Sequence, residues 1–276
     1  MTPVETLLRE GRKKNLIFCI TSGRSGSKLL TELLRVFPTM SSHHEPDPNF
    51  SLVIRSVLVN PEMTTNFWVN HKLPAILEHQ QPHYVETSHL AGKGFISALL
   101  HLNIVPTLVM LRRPPRDVAK SLYGYAAIPG RSIDGLMHLL SPADLGVMPL
   151  PHWTSLHDYQ ICFWYCLEME RRQRVYAQWV ERLGKASHEI HMKDLLDYHK
   201  FYDFSKRLGV VEGVSEVDIQ AHHARICSQN QNPREKFQPI DFDVEQMEQE
   251  VLQLIANYEP LLWHDVQAWY QNHHAS

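Results

Sequence analysis

The sequence predicts an α/β fold, a central parallel sheet flanked by helices. Three observations predict it. Short apolar runs, NLIFCI at 15–20 and PTLVML at 106–111, read as strands covered on both faces. Segments with helical spacing alternate with these runs. The first run also feeds straight into a turn of small residues, TSGRSGSK at 21–28, and from there into a helix.

The elements follow in order. Residues 15–20 form the first strand, bounded by Lys14 and by Thr21-Ser22-Gly23. Leu29, Leu30, Leu33, Leu34 and Phe37 share one helical face over 27–37, and Pro38 ends that helix. Residues 41–49 read as a polar loop, and 50–80 as short helices broken at Pro61 and Pro74. Residues 83–86 suit a second strand, 94–101 a helix, and 106–111 a third strand. Pro114 opens the next helix, where a missing N–H costs least. Residues 127–152, rich in Gly, Pro and Ser, read as a long loop or lid. One long amphipathic helix covers 155–183, with Gly184 as its stop. A fourth strand at 188–192, helices around 194–208, and two more near 243–257 and 260–272 complete the reading. With no internal repeat or linker, one domain spanning 1–276 is expected.

Composition narrows the function. With 43% hydrophobic and 21% charged residues, a packed core is expected and disorder is not. A net charge of -3 provides no bulk field for nucleic acid or an anionic membrane, so any anion site must be a local cluster. The N-terminal segment is charged and has no apolar stretch of the signal-peptide kind, and 95–111 is too short to span a bilayer. The expected location is cytoplasmic. Cys162 and Cys166, four apart on a helix, read as core residues rather than metal ligands.

The chemistry concentrates in 21–28. A strand, a small-residue turn and a helix together aim backbone N–H groups and the positive end of the helix dipole at one point. Gly23 and Gly26 let the backbone curl around an anion, and Arg24, Ser25, Ser27 and Lys28 add side-chain donors. Nucleotide hydrolases carry G-x-x-x-x-G-K-[ST] here. In this chain Ser27 follows Gly26 and Lys28 stands one place late. The strand that would neighbour it ends in Arg112-Arg113 instead of a metal-binding Asp. Two arginines repel Mg²⁺ and attract phosphate, so the sequence reads as built for a metal-free, doubly phosphorylated ligand.

These residues resemble the sulfotransferases that use 3′-phosphoadenosine 5′-phosphosulfate (PAPS). GRSGSKLL is similar to that family's first motif, [K/R]-S-G-[T/S], which binds the 5′-phosphosulfate, with Arg24 in the cationic place. RRPPRDVAKS is similar to its second motif, with Arg113 after a strand and Ser121 eight residues on, the pair that binds the 3′-phosphate. EIHMKDLL resembles a third segment, a strand followed by [ED]-L, here Asp194-Leu195.

The resemblance implies a P-loop-type three-layer fold and transfer of a sulfuryl group from PAPS to a hydroxyl, or less often an amine, of a small-molecule, carbohydrate or lipid-like acceptor. The product nucleotide is 3′,5′-adenosine bisphosphate, and no metal takes part. The implied donor-binding residues are Ser22, Gly23, Arg24, Ser25, Gly26, Ser27, Lys28, Arg113 and Ser121. Arg234 joins them from a late polar loop that also holds Arg225, Asn230, Asn232 and Lys236. Arg24 would stabilise charge on the bridging oxygen. Two residues compete as the base. Glu45, in SSHHEPDP, resembles the acidic residue of the carbohydrate enzymes. His89, in YVETSHLAGK, resembles the Thr/Ser-His-Leu of the cytosolic small-molecule enzymes. His43 and His44 are further candidates. The family's Lys before the His segment is Thr87 here. Phe50, Phe67, Trp68, Tyr123, Tyr125 and Trp153 are candidates for an acceptor pocket or for the core. A small-molecule kinase of the P-loop class and a non-catalytic nucleotide-binding protein are the alternatives.

Overall fold

Alternate residues of the first strand bury into opposite faces of one sheet. In the computed structural model, Leu16, Phe18 and Ile20 enter one apolar cluster while Ile17 and Cys19 enter another. The structure describes residues 2–60, 62–229 and 238–258. The chain divides into two compact units, Met1–Arg112 with Gln173–Pro233, and Arg113–Arg172 with Arg234–Ser276.

The first unit is built on five parallel strands, β1 (Asn15–Ile20), β2 (Met40–His44), β3 (His83–Ser88), β4 (Thr107–Arg112) and β5 (Ser187–His191), in the order β2-β3-β1-β4-β5. The parallel sheet is as expected. Its helices are α1 (Pro3–Lys13), α2 (Ser27–Leu34), α3 (Ile54–Val59), α4 (Glu62–Phe67), α5 (Leu73–Leu77) and α6 (Phe95–His101). One cluster packs α3, α5 and α6 under Phe18, Tyr84 and Leu108. The other covers the opposite face with α2 and with two later helices, α10 (Tyr198–Arg207) and α11 (Glu216–Cys227). Burial on both faces is what parallel strands require.

Two expectations need correction, and two helices lie where no element was expected. Residues 41–49 are not all loop, because Met40–His44 pairs with His83–Thr87 along β3. The segment MSSHH has no apolar alternation, and its strand form comes from the β3 ladder. Polar residues suit an edge strand, where an apolar one would invite pairing with another chain. Pro74 does not break its helix. A π-helical turn, Trp68–Lys72, precedes it, and the Leu73 N–H reaches back to the Trp68 carbonyl. Helix α11 was not anticipated, although Ser215 caps it by accepting from the Asp218 N–H at 3.1 Å. Helix α1 was also read only as a charged segment, yet Thr2 and Glu5 form a capping box around its first turn.

The second unit contains α7 (Pro115–Gly124), α8 (Ile133–His138), α12 (Val244–Tyr258) and the first part of α9 (Asp158–Arg182). Helix α8 lies inside the expected 127–152 loop, capped by Ser132. Arg116 grips the fully buried Glu248 through contacts of 2.7–3.1 Å, and the Tyr159 hydroxyl donates to the same carboxylate at 2.5 Å. Cys162 and Cys166 are buried on α9, and burial pushes both thiols up. At the far end of α9, Gly184 takes φ +79° and its N–H bonds to the Glu181 carbonyl, the glycine stop that the sequence predicts. The expected helix at 260–272 lies outside the described residues.

Candidate functional site

The turn between β1 and α2 curls through three left-handed residues, Gly23 (φ +84°), Arg24 (φ +55°) and Gly26 (φ +87°). Arg24 adopts a conformation that costs a side-chain-bearing residue energy, so the surroundings must hold it there. A side chain at Gly26 would crowd its neighbour, and one at Gly23 would make only an ordinary contact. A Cβ on Gly23 would stand 3.4 Å from the His89 ring, and one on Gly26 would stand 3.0 Å from Met192. Helix α2 begins without a side-chain cap, which leaves its first amides to a ligand or to solvent.

The hydroxyls of the turn divide their work. Ser25 is fully buried and donates to the Gly23 carbonyl at 2.9 Å, and its oxygen lies 3.2 Å from the Ser22 hydroxyl. These two brace the curl from inside. Arg24 is half-buried, Ser27 opens α2, and Lys28 is exposed.

Thr87 is wholly buried. Its hydroxyl donates to the Ser27 carbonyl at 3.0 Å and lies 2.6 Å from the Thr31 hydroxyl. It ties the start of α2 to β3 and carries no charge toward a ligand. His44 Nδ1 lies 3.1 Å from the same hydroxyl.

The two competing base candidates are brought together. His89 Nδ1 lies 2.5 Å from Glu45 Oε1, and the same oxygen accepts from the His89 N–H at 3.3 Å and the Ser88 hydroxyl at 3.4 Å. Glu45 follows β2 at φ +48°, and its own N–H donates to the Thr87 carbonyl. His89 follows β3, the neighbour of β1, and packs against Gly23. Burial works against charge on Glu45, but His89, and His44 after it, hold its carboxyl well below the usual range. An ionised Glu45 is a weak base and a good orienting partner for an imidazole.

His43 turns away from this pair. Its Nε2 meets the Ser41 hydroxyl at 2.5 Å, and its ring lies 4.5 Å from that of His79. Burial first, then His79, push it down to about 4.

Arg112 is also redirected. It is buried and paired with Glu189 of β5 at 2.7 Å, so of the two arginines read as attracting phosphate it is spent within the sheet. In the second unit, Arg113 stands 3.8 Å from Asp117 across the first turn of α7, and Ser121 is buried on that helix. Arg234, Asn230, Asn232 and Lys236 lie outside the described residues. Arg225 is on α11, hydrogen-bonded to His222. Phe50, Phe67 and Trp68 are core residues packed on one another and on Phe95, rather than pocket lining. Tyr123 packs against Phe242 and His157 in the second unit.

Lys72 adds a charged group to the core. It is buried beside β3, with its Nζ 2.8 Å from Glu86 Oε2. A lysine in a helical stretch carries no sequence signal of such burial. No group of three or more metal-ligating side chains occurs among the described residues, and none of their helices is long and apolar enough to cross a membrane.

Fold and site together define an α/β protein with a five-stranded parallel sheet, whose first turn meets a carboxylate–imidazole pair at the ends of β2 and β3. Compared with known proteins, the chain matches no family model and no curated relative.

Proposed function

We propose that this protein is a PAPS-dependent sulfotransferase, with the 21–28 turn as its P-loop-type donor site. The observation that carries the proposal is His89, hydrogen-bonded to Glu45 on one side and packed against Gly23 of the turn on the other. A proton acceptor beside an anion-binding turn is what transfer from a phosphosulfate to a hydroxyl requires. The second-motif residues Arg113 and Ser121 support the same donor by their spacing. Lys28 and Arg234 belong to the proposed donor set on the sequence resemblance alone.

The reaction follows from these roles. The acceptor oxygen attacks sulfur and a new O–S bond forms. The bond from sulfur to the 5′-phosphate breaks, and its electron pair stays on the bridging oxygen. The turn amides and Arg24 oppose the charge that grows there, which lowers the transition state more than the ground state. Arg24 keeps its proton and acts through charge. The acceptor proton passes to His89 Nε2. Glu45 keeps Nδ1 protonated, fixes the ring and stabilises the imidazolium, the division of labour known from other carboxylate–imidazole pairs. Thr87 leaves the donor site without the extra lysine contact, so Arg24 carries more of the charge.

Binding separates this reading from a small-molecule kinase. Thermal unfolding is followed with 3′,5′-adenosine bisphosphate and with Mg-ATP, and then transfer from labelled PAPS is measured across a panel of hydroxylated metabolites. Stabilisation by the bisphosphate and label on an acceptor are expected. Stabilisation by Mg-ATP alone would overturn the proposal, and bisphosphate binding without transfer to any acceptor would favour a nucleotide-binding protein.

A further inference from the structure

The segment that carries Glu45 cannot hold its own shape. It reads Glu45-Pro46-Asp47-Pro48-Asn49, and its two prolines remove two N–H donors from five residues. Asn49 Nδ2 donates to the Glu45 carbonyl at 2.8 Å, which satisfies one end. The Pro46 and Pro48 carbonyls receive their hydrogen bonds from one group, the Lys72 ammonium, at 3.1 and 3.0 Å. The same ammonium meets Glu86 Oε2 at 2.8 Å and lies 4.7 Å from the centre of the Phe50 ring.

An ammonium has three donors, and all three are accounted for by Pro46, Pro48 and Glu86. Side chains that are 1% and 0% exposed place this ion pair in the core, where a charge is stable only with partners. Tyr84 adds its hydroxyl to Glu86 at 2.8 Å. Lys72 closes the π-helical turn Trp68–Lys72, an irregularity that re-aims side chains and recurs at functional sites. Burial pushes the Glu86 carboxyl up and the Lys72 ammonium opposes that shift; the cost of burying such a pair is difficult to explain by stability, since apolar residues of similar volume often serve as well.

We infer that Lys72 is the positioning residue of the Glu45–His89 pair, clamping the 46–48 carbonyls so that the Glu45 carboxylate meets His89. This inference rests on the reading of that pair as the proton acceptor, although the contact itself can be tested without any transfer reaction.

The test reads the pair directly. A hydrogen-bonded imidazole N–H gives a far-downfield proton resonance, which is assigned by its loss in His89→Gln. Lys72→Met combined with Glu86→Gln removes both buried charges together, so no charge is left uncompensated in the core. Tyr84→Phe, which removes only a hydroxyl from Glu86, is the control. The resonance is expected in the native chain and in Tyr84→Phe, and should be lost in a folded double variant. Its persistence in the double variant overturns the inference. Its loss in Tyr84→Phe does so too, by tracing the effect to general loosening of the core. A double variant that fails to fold also counts against it, because it assigns Lys72 to the fold rather than to the pair. With PAPS and an accepted acceptor, kcat of the double variant should fall about 10- to 100-fold while KM for the donor stays unchanged. The expected resonance pattern without any transfer from PAPS would keep the role of Lys72 and reject the sulfotransferase proposal.

Discussion

His89 and Glu45 meet through a 2.5 Å contact between Nδ1 and Oε1, although they are 44 residues apart in the chain. The contact brings two rival candidates for one role side by side, with Nδ1 facing the carboxylate. On the proposed reading, Nε2 is the nitrogen that exchanges a proton with the acceptor.

His89→Asn should lower kcat for sulfuryl transfer by roughly 10²- to 10⁴-fold, the usual contribution of a general base. Glu45→Gln should lower it less, because the imidazole remains and only its orientation and charge support are lost. Affinity for 3′,5′-adenosine bisphosphate, measured by calorimetry, should stay close to native in both. Native turnover in both variants would remove the pair from the mechanism.

Arg24→Ala should abolish most transfer and weaken bisphosphate binding by about 1.5–3 kcal/mol, the range for hydrogen bonds to charged groups. The half-buried Arg24 lies outside both apolar clusters, and far-UV circular dichroism of the ligand-free variant should show that it stays folded. Unaltered binding and turnover would transfer its assigned role to Lys28.

Gly23→Ala tests the left-handed backbone of the turn. The substitution puts a Cβ at φ +84° and 3.4 Å from the His89 ring. A left-handed alanine costs about 1–2 kcal/mol, a loss that urea unfolding can measure. At 3.4 Å the added Cβ makes an ordinary van der Waals contact, so the imidazole should stay in place and any fall in kcat should come from the strained turn. A variant as stable and as active as the native chain would show that the turn does not need its left-handed glycine.

Stability should fall in two steps on acidification. His43 is held down to about 4 from an ordinary 6.5, so between these values the unfolded chain binds a proton that the folded chain refuses. Its contribution is complete above pH 6.5 and is lost as pH falls toward 4. Glu45 is also depressed, and its contribution is complete above 4.5 and lost below that. Thermal midpoints measured against pH should therefore lose slope in the upper window for His43→Gln and in the lower window for Glu45→Gln. His79 and His83 are shifted in the same direction, so His43→Gln should blunt the upper step rather than abolish it.

The strands β1 and β4 were legible because a strand covered on both faces is apolar along its length, whereas β3 and β5, HYVETS and SHEIH, mix apolar and polar residues and carry a weaker signal. The turn at 21–28 was legible because only glycine-rich, hydroxyl-rich sequence curls so tightly before a helix. Strand β2 was not, since its five residues MSSHH are polar and gain strand form from their neighbour alone. Helices α1 and α11 carried readable signals, the Thr2–Glu5 box and the Ser215 cap.

By itself the sequence determined the parallel sheet, the curled turn and the set of candidate side chains. Those properties are local, set by the period of apolar residues and by the conformational freedom of glycine. Tertiary structure decided which candidates meet. Register between β2 and β3 carries Glu45 to His89, β5 takes Arg112 out of use through Glu189, and a π-helical turn brings Lys72 beneath the 46–48 carbonyls. Contacts between residues distant in the chain depend on strand order and on buried charge finding its partner, and neither is written in any short stretch of residues.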